Sequence, residues 1–329
     1  MSTATTQSMF SSTSLTTTLA ITTTISGTLR WNLTGIRIAG TGVAGDTPDK
    51  LRQPRCLYID ANDILYICDY NNNRIQKWII GASNGTTVAG NSNGNAGTNS
   101  FQLDHPTGIT FDKYGYMYVA DYDNHRVQRY PPNSSNGTTV AGTGSANVAT
   151  TNLNQPTAIV VDDELNMFIT ENGNNRLVFW PFNTTNSTIL INGRSGGTAS
   201  GELSNPYDLI LVNTSGNQVY LSDPAKDRVQ LWTFGAGVAN ETFSTAYGLK
   251  LSTPRQIKMD PYGNLYVADS LRQRVVVFCA NSTTGFLVVG RNTNSTPTFD
   301  DPSGIAFDSQ LNLYVASSNN HEVLKYERL

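Results

Sequence analysis

Pro106-Thr-Gly-Ile-Thr-Phe-Asp112, followed by Gly115-Tyr-Met-Tyr-Val-Ala-Asp121 and Asn124-His-Arg-Val127, is one copy of a pattern that occurs six times in this 329-residue chain. Each copy opens on a proline, and successive copies begin 48 to 52 residues apart. The opening prolines are Pro54, Pro106, Pro156, Pro206, Pro254 and Pro302. A period near 50 residues with matched positions indicates an array of identical supersecondary units.

Each copy has the pattern of four short strands. In the fifth copy these are the runs Pro254–Asp260, Leu265–Asp269, Arg274–Phe278 and Phe286–Gly290, separated by turns rich in Gly, Pro, Asn and Asp. The turns are too short for crossover helices, so the strands are expected to be antiparallel. Four-stranded antiparallel units repeated radially form a β-propeller. The sequence therefore predicts an all-β fold with six blades.

The two ends of the chain predict how the ring closes. The sixth copy ends three residues after Tyr326, so it lacks a fourth strand. Gly35–Gly40 aligns position for position with Gly85–Gly90 and Gly137–Gly142, which are fourth strands. We expect this N-terminal strand to complete the sixth blade and cover its edge. The predicted propeller domain spans residues 29–329.

The repeated residues resemble the NHL repeat. The resemblance is carried by Pro106–Val127, Pro254–Val275 and Pro302–Val323, the last with Asn-His-Glu in place of Asn-His-Arg, and it extends over residues 35–329. It implies a six-bladed propeller. It does not imply one chemistry, because blades of this family serve ligases, lyases and adhesion-type proteins.

Composition narrows the classes of function. The net charge is −3 and charged residues make up 14% of the chain, which argues against nucleic-acid binding, where a basic face is expected. No run of 18 apolar residues occurs, so this segment is not expected to insert into a membrane. We expect one monomeric domain.

Residues 1–28 differ in composition from the repeats. Ser and Thr account for 17 of these 28 residues, and none is charged. Such a segment buries too little surface to order itself, so it is predicted to be disordered. It is interpreted as a stalk with O-linked sugars, as a plain linker, or as the cut edge of a longer precursor.

Ten asparagines lie in Asn-X-Ser/Thr sequons, close to the number that composition alone gives. They are Asn32, Asn84, Asn133, Asn136, Asn183, Asn186, Asn213, Asn240, Asn281 and Asn294. All but Asn240 and Asn294 fall in turns expected on one face of the disc. Glycosylation there would leave the opposite face free, as in a secreted glycoprotein.

Two of the three cysteines lie on neighbouring strands of the first copy. A hairpin that sets Tyr58 opposite Tyr66 brings Cys56 and Cys68 within disulfide reach. Alternatively, the two thiols are chance replacements of the small residues found there in other copies. Cys279 is left over.

Five copies carry an acid and an arginine five residues apart, flanking the turn between the second and third strands. The pairs are Asp69 and Arg74, Asp121 and Arg126, Glu171 and Arg176, Asp223 and Arg228, and Asp269 and Arg274. The sixth copy has Ser317 and Glu322, so both members change together. A catalytic pair would not recur five times, and we interpret these as structural, charge-assisted pairs.

The resemblance also allows a test for catalysis. Zinc-dependent peptidyl-hydroxyglycine lyases of the family carry histidines directly after the blade prolines, where this chain has Arg55, Thr107, Thr157, Tyr207, Arg255 and Ser303. Its own histidines are His105, His125 and His321, which lie in different copies and are not expected to converge as zinc ligands do. We therefore predict no enzyme activity, no metal site and no cofactor.

The six residues after the prolines, together with Asp208, are predicted to ring the mouth of the central channel, opposite most sequons. Arg55 and Arg255 either attract a ligand there or pair with nearby acids. The predicted function is a non-catalytic module, extracellular or on the cell surface, that presents this mouth and the loops Tyr70–Asn73, Tyr122–His125 and Asn172–Asn175 to a protein, peptide or glycan. The alternatives are the substrate-recognition domain of a larger intracellular ubiquitin ligase and a lyase-like enzyme.

Overall fold

Six antiparallel sheets are arranged as the blades of a ring in the computed structural model, which describes residues 29–193, 201–212, 217–291 and 299–329. The segment 1–28, predicted to be disordered, lies outside these ranges. The all-β, six-bladed prediction is confirmed, because every blade contains four strands, here called a to d from the channel outward. The described helices are three single 3-10 turns: Tyr70–Asn72, Pro224–Lys226 and Ser270–Arg272.

The strands follow the six sequence copies. Blade one comprises β2 (Pro54–Ile59), β3 (Ile64–Asp69), β4 (Arg74–Ile79) and β5 (Thr86–Gly90). Blade two comprises β6 (Pro106–Phe111), β7 (Met117–Asp121), β8 (Arg126–Tyr130) and β9 (Thr138–Ala141). Blade three comprises β10 (Pro156–Val161), β11 (Met167–Glu171), β12 (Arg176–Trp180) and β13 (Thr188–Asn192). Blade four comprises β14 (Leu209–Leu211), β15 (Gln218–Asp223), β16 (Arg228–Thr233) and β17 (Ala239–Phe243).

The last two blades complete the ring. Blade five comprises β20 (Pro254–Met259), β21 (Leu265–Asp269), β22 (Arg274–Phe278) and β23 (Gly285–Gly290), with a small hairpin, β18 (Thr245–Ala246) and β19 (Leu249–Lys250), added beside β23. Blade six comprises β24 (Pro302–Phe307), β25 (Leu313–Ser317), β26 (Glu322–Tyr326) and the N-terminal β1 (Ile36–Ala39).

The predicted closure of blade six by the N-terminal strand is confirmed. Strand β1 pairs antiparallel with β26, placing Ile36 opposite Lys325. The segment before it adds a contact that the sequence did not predict: Trp31 is buried, donates its indole N–H to the Leu311 carbonyl at 2.9 Å, and packs edge-on against Tyr266 with ring centroids 5.5 Å apart. The closing segment therefore bridges blades five and six.

The hydrophobic core lies between blades, because both faces of each sheet are buried. One cluster joins Leu65 and Ile67 of blade one to Ala316 and Val323 of blade six. A blade is therefore stable only with its neighbours, as expected for a repeat that cannot bury its apolar faces alone. Within the described ranges, no helix has the length and apolar character needed to cross a membrane.

Candidate ligand-binding mouth

The acid–arginine pairs form the base of the loops on the mouth face. In blade two, Asp121 ends strand b directly opposite Arg126, which begins strand c, and the Arg126 Nε lies 2.7 Å from the Asp121 Oδ2. Both side chains are buried. The four equivalent pairs have N–O distances of 2.8 Å (Asp69 and Arg74), 2.5 Å (Glu171 and Arg176), 3.0 Å (Asp223 and Arg228) and 2.6 Å (Asp269 and Arg274).

Each pair also holds the loop that leads into its blade. The second oxygen of Asp121 accepts the Asp104 backbone N–H at 2.7 Å, and Arg126 donates to the carbonyls of Thr98, Asn99 and Gln102. Burial raises the pKa of Asp121 to about 6, so this carboxylate is still mainly ionised at neutral pH. The geometry is that of a structural clamp, with the donors of the arginine directed at protein carbonyls.

Blade six keeps an ion pair in a different form. The sequence indicated that both members were lost together, but Glu322 forms an ion pair with Arg37 of β1, and the Ser317 hydroxyl accepts the Asp300 backbone N–H at 2.8 Å. The expectation of a missing pair was therefore wrong for Glu322. Its partner comes from the other end of the chain, which the spacing within one copy does not reveal.

Histidine, asparagine or aspartate side chains link neighbouring blades near the mouth. The residue before each opening proline has a positive φ, and in five joints its backbone N–H is bound by a side chain of the preceding blade. His125 Nδ1 accepts the Gln155 N–H at 3.1 Å, and His321 Nδ1 accepts the Gln53 N–H at 3.1 Å. Asn73, Asn175 and Asp227 do the same for His105, Asn205 and Thr253. Two of the three histidines are therefore linkers in separate joints.

His105 occupies a different environment, between two acids. Its Nδ1 lies 2.9 Å from Asp104 Oδ1 and 2.7 Å from Asp123 Oδ2, and its ring packs against Tyr70. These three residues are the one group within the described ranges whose ligand atoms lie close enough together to hold a metal ion. The histidine nitrogen already bonds both acids, so the group is self-satisfied, and the expectation of no metal site stays a prediction.

The hydroxyls that follow the prolines join neighbouring blades. Thr107 donates to the Pro156 carbonyl at 3.1 Å, Thr157 donates to the Pro206 carbonyl at 2.9 Å, and Ser303 donates to the Pro54 carbonyl at 2.8 Å. Thr107 and Thr157 still contribute surface to the mouth, whereas Ser303 is fully buried. The placement of Ser303 on the mouth surface was wrong, because the residue is fully buried and does not line the mouth.

A cup of about 290 Å³ lies at the mouth and contains five of the seven predicted residues, one from each of blades one to five. These are Arg55, Thr107, Thr157, Tyr207 and Arg255. Tyr70, Tyr122 and Asn172 from the predicted loops also line it. The sequence did not indicate its remaining lining residues, Asn205, Pro224, Ala225 and Thr253.

The two arginines in the cup differ in their electrostatic environment. Arg255 Nη1 lies 3.0 Å from Asp301 Oδ2, so its charge is neutralised by the next blade. The Arg55 guanidinium lies over the Tyr70 ring, 4.4 Å from its centroid, and none of the described carboxylates forms an ion pair with it. Its buried Nε has no hydrogen-bond partner in the same part of the chain. Within the described ranges, therefore, only one of the two predicted cations forms an ion pair.

Tyr207 is 9% exposed, and its buried hydroxyl has no hydrogen-bond partner within the described ranges. Burial raises the pKa of Tyr207, so the phenol keeps its proton at neutral pH.

The adjacent Asp208 does not line the cup: it is buried, and its Oδ2 accepts the Ile257 backbone N–H at 2.9 Å. Its expected role as part of a contact surface at the mouth is therefore wrong.

Gln256 spans the channel and was missed by sequence reasoning. Its Oε1 accepts the backbone N–H groups of Leu57 at 3.1 Å and Ile305 at 2.8 Å, while its Nε2 donates to the Leu57 carbonyl. It lines a space of only about 70 Å³ that also borders Tyr207 and Asp208. The sequence signal is the second position after the proline, where three other blades have Gly or Ala and this blade has a long amide.

A larger cavity, of about 600 Å³, lies between blades one and two. It is bordered by the sequon residues Asn84 and Asn133 and shares no residue with the cup. The eight sequon asparagines inside the described ranges are all exposed. Asn213 and Asn294 lie outside those ranges, and glycosylation of any of the ten stays a prediction.

The first two cysteines are joined in the structure. Cys56 and Cys68 form a disulfide with their Cα atoms 5.1 Å apart. Tyr58 faces Tyr66 as expected, while a bulge between Pro54 and Leu57 interrupts the ladder beside Cys56. Cys279 is free, and burial raises the pKa of its thiol.

Comparison with known proteins agrees with the repeat pattern. The NHL repeat family matches residues 51–78 and 299–326, which are parts of blades one and six. The resemblance of these two segments to the NHL repeat is therefore confirmed. A 47-residue stretch is 47% identical to NHL repeat-containing protein 2 of Bos taurus, and it covers 14% of this chain and only 6% of the bovine protein.

Solved structures share the propeller fold of this chain. An auxiliary nutrient binding protein from Bacteroides ovatus has a TM-score of 0.66 and 12% identity, over 92% of this chain and 78% of that one. A gluconolactonase from Xanthomonas campestris has a TM-score of 0.62 and 13% identity, over 92% of this chain and 97% of that one. At these identities the similarity shows the fold alone.

Proposed function

We propose that this NHL propeller is a non-catalytic binding module, working outside the cell, whose mouth face receives a protein, peptide or glycan. The observation that carries the proposal is the cup, where five blades converge around buried donor atoms without partners. Concave sites with a few convergent polar groups are the usual sites of ligand binding. The exposed sequons and the Cys56–Cys68 disulfide support an extracellular setting.

The chemistry of the lining supports binding over catalysis. The described residues that line the cup include no histidine, cysteine, aspartate, glutamate or serine. Its tyrosines are poor bases, and burial raises the pKa of Tyr122 to about 12. General acid–base catalysis needs a group that exchanges protons near the working pH, whereas the cup is lined by arginine, tyrosine, amide and hydroxyl side chains.

The face used for docking can be tested by binding to arrays of defined peptides and glycans. Tyr122→Ala removes a wall of the cup, and we expect it to weaken the binding of a ligand found with the native protein by about ten-fold. Asn186→Gln is the matched control, because it changes an exposed side chain in a turn that the cup does not include. Binding that survives Tyr122→Ala but is lost with Asn186→Gln would place the site on the other face.

A further inference from the structure

The cup holds one arginine that forms no ion pair with any residue the structure describes. Arg255 is paired with Asp301, both partners being largely buried, whereas Arg55 stacks on Tyr70 and none of the described carboxylates pairs with it. Two acids near Tyr70, Asp104 and Asp123, lie within 2.9 Å of the His105 Nδ1. A guanidinium has five donors and no acceptor, so a partly buried one without a counter-ion favours an anionic ligand.

A second, independent observation points to the same kind of ligand. Tyr207 lines both the cup and the narrower space beneath it, and its buried hydroxyl has no partner in the described chain. Leaving a buried donor unsatisfied is costly, and such groups in native proteins frequently mark a site that a ligand completes. The phenol keeps its proton because burial raises its pKa, so it offers a hydrogen to an acceptor.

Several other polar groups of the cup are already used. The Thr107 and Thr157 hydroxyls bond the proline carbonyls of the next blades, and the Tyr122 hydroxyl lies 3.4 Å from Asn172 Oδ1. Asp208 is directed at the Ile257 N–H, so its charge is not available to Arg55. Among the lining residues within the described ranges, Arg55 and Tyr207 are the two with buried side-chain donors that lack a hydrogen-bond partner.

The size and walls of the cup define the rest of the ligand. A volume of about 290 Å³ is at the lower limit of small-molecule sites and corresponds to one ring-sized group. The rings of Tyr70, Tyr122 and Tyr207 form much of the wall, which favours a flat or apolar body over a strongly hydrated one.

We propose that the mouth binds the carboxylate of a ring-bearing small molecule, with Arg55 holding the carboxylate and Tyr207 donating to it. This rests on the proposal that the mouth is the ligand-binding face. Arg255 keeps Asp301 as its partner and shapes the wall without binding the anion. The same carboxylate chemistry occurs in free aromatic acids and in the uronic-acid ends of glycans.

Calorimetric titration of the whole chain with matched probes tests the site and separates these sources. The probes are phenylacetate against phenylacetamide, and glucuronate against glucose. Within each pair, the second compound lacks the carboxylate of the first but has the same ring. We expect binding of at least one acid and at least ten-fold weaker binding of its neutral counterpart, since hydrogen bonds to a charged group are about twice as strong as neutral ones. The acid that binds identifies the source.

Variants locate the binding. Arg55→Gln should weaken binding of the acid by about ten-fold or more, Arg55→Lys should restore part of it, and Tyr207→Phe should cause a smaller loss. Arg52→Gln is the control, because Arg52 is an exposed arginine three residues before Arg55. Unchanged melting temperatures would exclude unfolding as the cause of a loss.

The outcomes distinguish this proposal from the proposed function. No binding of either acid, equal binding of acid and neutral probe, or equal binding by native protein and Arg55→Gln would overturn the carboxylate site. If an acid binds through Arg55 while array ligands dock on the sequon face, the carboxylate site stands and the proposed docking face is wrong. If array ligands depend on Tyr122 but acid and amide bind alike, the docking face stands and the carboxylate site fails.

Discussion

The joint between blades two and three and the joint that closes the ring perform the same task with different bonds. Both use a histidine Nδ1 to accept the N–H before the next proline, and both use a hydroxyl (Thr107 or Ser303) donated to a proline carbonyl. The ion pair differs: Asp121 and Arg126 are five residues apart, whereas Glu322 pairs with Arg37, 285 residues away. The ring therefore keeps its repeated links at the closure but makes the ion pair there between the two ends of the chain.

The largest expected effect comes from removing the closing segment. A protein beginning at Thr41 lacks β1 and Trp31, so β26 becomes an exposed edge and the contacts of Trp31 with blades five and six disappear. We expect a loss of more than about 3 kcal/mol in the free energy of unfolding, the lower range for deleting a buried tryptophan side chain. Urea unfolding compared with a protein beginning at Gly27 measures it. Equal midpoints would show that closure contributes nothing.

Breaking the local ion pair in blade two is expected to be somewhat less damaging. Arg126→Ala leaves the buried Asp121 carboxylate without its main partner, and removing one member of a buried pair costs about 3 kcal/mol. A double-mutant cycle with Asp121→Ala isolates the interaction between the two side chains. A coupling energy near zero would contradict the clamp. An Arg126→Ala variant as stable as the native protein would contradict it too.

The closing ion pair should be worth less than the local one. Arg37 is 50% exposed while Glu322 is 4% exposed, so solvent screens the pair and water reaches the arginine. We expect Arg37→Ala to lower the free energy of unfolding by about 1 kcal/mol or less, in the range of exposed pairs. Both variants should be measured under the same conditions. A larger loss of unfolding free energy for Arg37→Ala than for Arg126→Ala would contradict the expected order of the two ion pairs.

The smallest expected effect concerns pH and the closing histidine. Burial lowers the pKa of His321 below its usual 6.5, and its Nδ1 must be unprotonated to accept the Gln53 N–H. The unfolded chain then takes up the proton first, so this stabilisation is present above pH 6.5 and is lost as the pH falls through the folded pKa. His321→Asn is a matched control, since Asn73 and Asn175 make the same bond without titrating. On acidification from pH 8 the native protein should lose stability relative to the variant, and parallel pH profiles would contradict the role.

Much of the fold was predictable because its determinants are local and repeated. Proline, aromatic and turn positions recur in every copy. The segment Gly35–Gly40, which supplies the fourth strand of blade six, aligns position by position with its equivalents. The location of the cup was also predictable, since strand a of every blade begins at the mouth. Asp208 was misplaced because it is one position further along the strand than the cup residues, and its carboxylate bonds the neighbouring blade. Ser303 occupies the equivalent position to the cup residues, but it is fully buried and its hydroxyl bonds the Pro54 carbonyl.

The sequence by itself determined six four-stranded blades, the closure by the N-terminal strand and the set of residues near the mouth. A period of about 50 residues is visible when the copies are compared, and the acid–arginine spacing of five is visible within one copy. Only the tertiary structure decided which arginine is free. Asp301 reaches Arg255 from 46 residues away, Arg37 reaches Glu322 from the opposite terminus, and Gln256 bonds Leu57 across 199 residues. These partners meet because the ring brings blades together, and a charge is balanced by whatever lies within a few ångströms, however distant it is along the chain.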